Sequence, residues 1–286
     1  MTKITIAGIC RRDKFSPNHI GNDAAIFNLT AAHLIDMGCI VNKYSESDLI
    51  LGNVKETIIF NMVREWQSIY ELQKMEDKGC KVINSAYGID NCTRENMTRL
   101  LIGNQIPHPR SLFLNTNEDP EEELKKSGFE NCWIKRGDFH AIHREDVTYV
   151  RHLEEAKGIL KEYAIRGIQT AVVNEHLCGD LIKFYGVKDT GFFYWFYPSN
   201  ANHSKFGLEA INGTAKGIHF DEEELKNICS RAGHVLNVNI YGGDCVVTED
   251  GKIHLIDFND WPSFAPCREE AAKFIAQRIY MMATEE

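Results

Sequence analysis

The sequence predicts an α/β protein in three pieces: a parallel α/β domain over residues 1–85, then two mixed lobes over 86–177 and 178–286. Three observations predict it. In the first third, short apolar runs alternate with amphipathic ones, the pattern of strands joined by crossover helices. From residue 93 onward that alternation gives way to a mixture of isolated strands, helices and close strand pairs. Near the end, the turn "EDGK" separates two apolar strands, a hairpin signal.

The elements follow in order. "ITIAGIC" (4–10) is a short apolar strand. In 21–38, Ala25, Ile26, Leu29, Leu34 and Met37 recur near helical spacing, and Gly38 is a natural stop. Strands are expected at 39–44, 57–63 and 80–86, with a helix at 65–79 ending on Gly79. Thr93 is the N-cap candidate of a helix over 93–105, closed by "IPHP". A strand at 111–115 precedes a helix at 118–128 whose acidic start and basic end suit the helix dipole. Strand 132–137, helix 152–165 and strand 170–177 come next. "LIKFYGVKD" and "GFFYWFY" read as an antiparallel pair, and 194–220 as containing a surface loop or lid. Helix 221–237, the hairpin 241–259 and a last helix at 268–282 complete the chain.

With 286 residues the chain buries a substantial core, and 43% hydrophobic and 26% charged residues are ordinary for a globular protein. A net charge of −9 argues against general nucleic-acid affinity and against an anionic membrane surface, while leaving room for a local basic pocket. Nine cysteines, none in a CxxC pair, argue against a zinc ribbon and suggest reduced thiols in a cytoplasm. "MTKITIAGIC" reads as a first strand rather than a secretory leader. The oligomeric state is left open, a homodimer included.

Chemistry concentrates in three places. Asp244 enters the final hairpin and Asp257 leaves it, so pairing around "EDGK" brings them roughly opposite. Asn259, two residues on, shares the face of Asp257. Two carboxylates and an amide oxygen suit magnesium, which takes hard oxygen ligands and keeps waters and phosphate oxygens in its shell. The bland alternative is that Asp257 and Asn259 only mark a strand end. Lys135 closes the apolar strand "CWIK", where a lysine can reach a phosphate as a compact charge or be an ordinary strand-end lysine. In "AVVNEHLCGDLIKF" an apolar strand ends at Asn174, Glu175, His176 and Leu177, turns at Gly179 and re-enters with Lys183. This is either a hinge with bare backbone for an adenine edge or a plain hairpin.

In their order along the chain, these clusters resemble the ATP-grasp family over about residues 80 to 265. "VINSAYGIDN…QIPHP" is similar to the segment that opens its nucleotide-binding module. "CWIKRG" resembles the phosphate-lysine strand, "VVNEHLCGDLIKFYGV" the adenine hinge, and "YGGDCVVTEDGKIHLIDFNDWP" the metal-binding end. The resemblance implies an N-terminal α/β domain followed by a two-lobed ATP-grasp module with ATP and magnesium as cofactors, manganese being able to substitute. It implies Lys135 and Lys183 on phosphates, Glu175, His176 and Leu177 at adenine, Asp180 toward ribose, and Asp244, Asp257 and Asn259 on the metal. Arg94 stands where the family's helix carries a lysine, and Asp257 where it usually has Glu. The loop after Lys135 has one glycine instead of several, so Arg136, His140, His143 or Arg144 would supply phosphate contacts there.

The implied activity is a carboxylate–amine (or thiol) ligase that passes through an acyl-phosphate and releases ADP and phosphate. A kinase acting on a hydroxyl is the second reading, kept open by His140, His143 and Asp257. A non-catalytic nucleotide-binding protein is the third, and three metal ligands weigh against it. The substrate would be a small molecule or peptide. "CRRDKFSPNHIGNDA" crowds Arg11, Arg12, Asn18 and His19 between a strand end and a helix start, a usual ligand position in such sheets, or forms a solvated loop. Arginines there suggest an anionic acceptor such as a carboxylate.

Overall fold

The computed structural model describes residues 3–15, 20–139, 143–198 and 208–285. The first third is a four-stranded parallel sheet in the order β2-β1-β3-β4, built from β1 (Thr5–Cys10), β2 (Ile40–Ser45), β3 (Ile58–Asn61) and β4 (Lys81–Ile83). Its helices are α1 (Ile20–Asp36), α2 (Glu46–Ile50), α3 (Trp66–Asp77) and α4 (Ala86–Asn91). β1 is apolar throughout because both of its faces are covered. Ile6 joins a core with Ile26 and Leu34 of α1, while Ala7 and Ile9 join one with Leu49, Leu72 and Ile89 from the other helices.

α2 was not expected, although its signal is in the sequence. Ser45 Oγ accepts the Asp48 N–H at 3.2 Å and Asp48 returns the bond to the Ser45 N–H at 2.9 Å, a reciprocal cap. α4 was also missed, and the strand expected at 80–86 stops at Ile83.

α5 (Arg94–Gly103) leads into an antiparallel sheet ordered β5-β8-β6-β7, from β5 (Ser111–Asn115), β6 (Cys132–Arg136), β7 (Val147–Val150) and β8 (Thr170–Glu175). Thr93 is the N-cap of α5, but its hydroxyl donates to Asp90 O instead of capping. α6 (Glu121–Ser127) and α7 (Leu153–Ile165) cover one face, packing Leu124, Leu160 and Tyr163 onto Cys132, Ile134, Ala171 and Val173. By alternation the opposite face carries Trp133, Lys135 and Asn174.

The third sheet, β10-β9-β11-β12, comprises β9 (Gly179–Val187), β10 (Phe193–Phe196), β11 (Ile240–Thr248) and β12 (Ile253–Asp260), all antiparallel. α8 (Glu222–Val235) and α5 cover one face over Ile182, Phe184, Leu255 and Phe258. The "EDGK" turn closes with Thr248 N–H donating to Lys252 O at 2.9 Å, and Gly251 takes φ +79°. The last helix, α9 (Arg268–Thr284), packs chiefly on α1 and also touches β9, and its Ala272, Ile275 and Ile279 complete the core behind Ile6. The C-terminal segment thus serves the N-terminal sheet as well as its own lobe.

Candidate active site

The uncovered faces of the second and third sheets meet across a cleft. Leu255 N–H donates to Pro107 O at 2.9 Å, seating the "IPHP" turn on β12. Lys135 reaches from β6 to β12, its Nζ donating to Ile256 O at 3.0 Å. That carbonyl is presented by a bulge: Asp244 faces Asp257 in the register, Cys245 faces Leu255, and Ile256 is the extra residue. The bulge also resets the alternation, so that Asp257 and Asn259 follow Ile256 on the cleft side while Phe258 is buried. Gly243 makes the register workable, because a Cβ there would stand 2.2 Å from Asp257 O.

Three cations converge on this carboxylate pair. Arg94 NH1 donates to Asp257 Oδ1 at 2.8 Å, and Lys183 Nζ to Asp244 Oδ1 at 3.0 Å. Lys135 is 7% exposed. Burial first, and the neighbouring Arg94 guanidinium second, push its ammonium down to about 7, against the pull of Asp257 and Asp244. The donor set fits magnesium: two carboxylates and an amide, with coordination positions left for phosphate oxygens and water. Among the described residues no group of three or more His, Cys, Asp or Glu converges as metal ligands.

The hinge residues have other partners. Arg110 holds Glu175 with two bonds, 2.8 and 2.6 Å. His176 Nδ1 accepts the Trp133 indole N–H at 3.0 Å, with Tyr149 edge-on to its ring. Leu177 O accepts an N–H from the Asn212 amide at 3.0 Å. Asp180 differs from expectation. It alternates with Ile182 and Phe184 on the buried face of β9, away from Lys183, and its two oxygens accept the Lys216 and Ile218 N–H groups at 2.7 Å each. In this arrangement both of its oxygens anchor the 212–218 segment. The described part of the expected lid is thus a strap laid along the hinge.

At the N-terminal sheet, a cavity of about 140 Å3 is lined by Cys10, Arg11, Arg12, Asp23 and Met62, among others. Arg11 is no open anion receptor. Its nitrogens donate to Asp23 Oδ2 (2.9 Å), Met62 O (3.1 Å) and Trp261 O (3.1 Å), bracing β1 against the end of β12. Arg12 pairs with Glu65 and donates to Ser47 Oγ at 2.7 Å. Arg64 is buried and paired with Asp260. Each arginine thus arrives with a carboxylate, and the region is balanced rather than cationic.

His143 is exposed and precedes a short turn, its backbone N–H donating to Asp146 at 3.0 Å. Arg136 pairs with Asp138 and Asp146. The loop after β6 is anchored by Phe139, 5.7 Å from both Phe15 and Trp66. Asn18, His19 and His140 lie outside the described residues.

Two features escaped sequence reasoning. Asn84, fully buried, accepts the Asn239 and Ile240 N–H groups (2.8 and 2.9 Å) and donates to Ile240 O (2.7 Å), fastening the end of β4 to β11. His108, in the "IPHP" turn, lies beside Lys135 and Arg94. Burial drives its imidazole down to about 3.

No protein-family profile matches the sequence, and no curated protein matches it. Solved structures do match over essentially the whole chain. D-alanyl-alanine synthetase A from Vibrio cholerae superposes with a TM-score of 0.71 at 13% identity, covering 100% of both chains. D-alanine–D-alanine ligase from Bacillus anthracis complexed with ATP gives 0.69 at 13%, covering 99% of each. The ATP-grasp ligase PsnB complexed with minimal precursor, Mg and ADP gives 0.66 at 15%, again covering 99% of each. The element order, the three sheets and these superpositions agree on one architecture: the chain has the ATP-grasp fold.

Proposed function

We propose that this protein is an ATP-dependent ligase that activates a carboxylate as its acyl-phosphate and joins it to an amine or similar nucleophile. The observation that carries the reading is the pairing of Asp244 and Asp257 across a bulged hairpin, with Arg94, Lys183 and Lys135 gathered on them. Such a cluster neutralises charge on transferring phosphoryl oxygens. Asp244, Asp257 and Asn259 would hold magnesium, which would supply positive charge to offset the repulsion between phosphate oxygens and the incoming nucleophile.

The chain's own residues would act by exchanging partners. Arg94 and Lys183 would move from Asp257 and Asp244 to the phosphates, leaving both carboxylates available as ligands. Lys135 holds the phosphate chain over β6. A substrate carboxylate oxygen attacks the γ-phosphorus, the bond to the bridging oxygen breaks, and ADP leaves. The amine then attacks the acyl carbon, expels phosphate and loses a proton. Solved neighbours that are D-alanine–D-alanine ligases, and one bound to a precursor peptide, support an amino acid or peptide as the acid.

ATP turnover with magnesium, followed by phosphorus NMR across amino acids, dipeptides, hydroxy acids and polyols, tests this. The expected result is free phosphate only when an acid and an amine are both present. A stable phosphorylated acceptor without free phosphate would replace the ligase with a kinase, and no turnover on any pair would overturn the catalytic reading.

A further inference from the structure

One wall of the cleft is aromatic, and the metal and phosphate chemistry does not use it. On the open face of the third sheet, side chains fall into rows that cross the strands. Lys183, Asp244 and Asp257 are register partners in one row. The next row runs Tyr194, Tyr185, Gly242 and Asn259. β9 leaves the hinge at Gly179 and ends at Val187, in the core shared with Ile6 of the N-terminal sheet. The tyrosine row is therefore one step beyond the phosphate row, on the side away from the hinge.

Tyr185 is fixed in place. A Cβ on Gly242 would stand 2.5 Å from its ring, so the ring lies over bare backbone. Phe264 packs on it at 5.0 Å and Phe196 at 6.0 Å, and Phe196 also meets Tyr194 at 5.8 Å. Tyr185 and Tyr194 border the core without being enclosed by it, and both keep accessible surface. Neither phenol oxygen is among the buried polar atoms that lack a partner.

A nucleotide that runs from the hinge past Lys135 and Lys183 ends its phosphate chain at the first row. The group that meets the terminal phosphate then lies over the second. We infer that Tyr185 and Tyr194 form the side-chain subsite of the acid, and that this acid is an amino acid or peptide with an aromatic or large apolar side chain beside the carboxylate to be activated. This rests on the cleft being the carboxylate-activating site proposed above. Such a side chain gains by ring-to-ring contact and by leaving water, whereas a methyl group would leave most of the wall uncovered. A carboxylate side chain would shed its water beside arginines already matched, Arg11 with Asp23 and Arg64 with Asp260. A cationic side chain would meet Arg94, Lys135 and Lys183 in the adjoining row.

Hydroxylamine tests the acid without its natural partner. Its nitrogen attacks the acyl carbon of an acyl-phosphate, phosphate leaves, and a hydroxamate forms. With ATP, magnesium and hydroxylamine, kcat/KM is measured for phenylalanine, leucine, alanine, aspartate and lysine, and for glycyl dipeptides ending in the same residues. Phenylalanine and leucine are expected to exceed alanine by roughly tenfold or more in the series that reacts, with aspartate and lysine below alanine. Tyr194→Ala should bring the phenylalanine-to-alanine ratio to within about threefold, and Tyr194→Phe should keep it. Wild-type rates that do not separate phenylalanine from alanine, or that favour aspartate or lysine, overturn the inference and leave the ligase standing, a result that needs no variant to fold. An undiminished ratio in Tyr194→Ala also overturns it. No hydroxamate from any acid removes the carboxylate-activating site and the inference together.

Discussion

On the proposed reading, Lys135 should couple nucleotide affinity to pH. The free protein holds its ammonium at about 7 because it is buried beside Arg94. A bound phosphate chain reverses that balance and returns the bound-state value toward the ordinary one of 10.5. Binding must then draw a proton from solvent over the interval between the two. Above pH 7.5 the terminal phosphate of ATP is already ionised, so the lysine dominates. Affinity should fall roughly 25-fold from pH 7.5 to pH 9, about 1.9 kcal/mol, and near pH 8 binding should take up about 0.9 proton.

Isothermal titration in buffers of different ionisation heat measures both quantities. Lys135→Arg keeps its charge throughout and should lose the pH dependence even where its affinity is lower. The stability of the free protein should run the other way. A lysine whose folded value is depressed binds fewer protons than in the unfolded chain between about 7 and 10.5, so stability rises as pH climbs through that window. Wild-type affinity constant within threefold across the range, with no buffer-dependent heat, would refute the assignment.

Asp257→Asn should cost at least about 100-fold in turnover, roughly 2.7 kcal/mol, and abolish the magnesium dependence of nucleotide binding while the melting temperature moves by only a few degrees. An active variant in a kinetic assay would remove Asp257 from the metal site. Asn84→Ala strips partners from two backbone N–H groups and should destabilise the fold by about 2–3 kcal/mol in urea unfolding. Gly243→Ala forces a methyl onto Asp257 O and should cost about 1–3 kcal/mol by circular dichroism melting, with nucleotide binding falling alongside.

Much of the fold was legible because local pattern and tertiary need coincide. β1 is apolar on both faces, and both are covered; the last hairpin announces itself by Gly251. The turn places Asp244 and Asp257 only roughly opposite: its register alone would pair Asp244 with Ile256, and the bulge moves Asp257 into place. What stayed hidden depends on partners far away in sequence. Asn84 satisfies the backbone at 239 and 240, which nothing near residue 84 reveals. His108 acquires meaning only once the turn docks on β12. The bulge at Ile256 breaks the strand period that alternation reasoning assumes. In the Arg11 and Arg12 loop the pairings were not legible: Arg11 takes Asp23 from its own segment, but Arg12 takes Glu65, distant in sequence. Asp180 is the opposite case: its alternation with Ile182 and Phe184 was there to be read and pointed inward.

The packing of α9 on α1 reaches beyond the finished structure to how it is made. Residues 20–36 leave the ribosome early, and residues 268–284 long after. Until then Ile6, Ile26 and Leu34 lack the Ala272, Ile275 and Ile279 side chains that seal them. This sheet is therefore synthesised well before the helix that closes it. Its exposed apolar face is the natural target for a chaperone during translation, and trimming the chain within α9 would loosen its beginning.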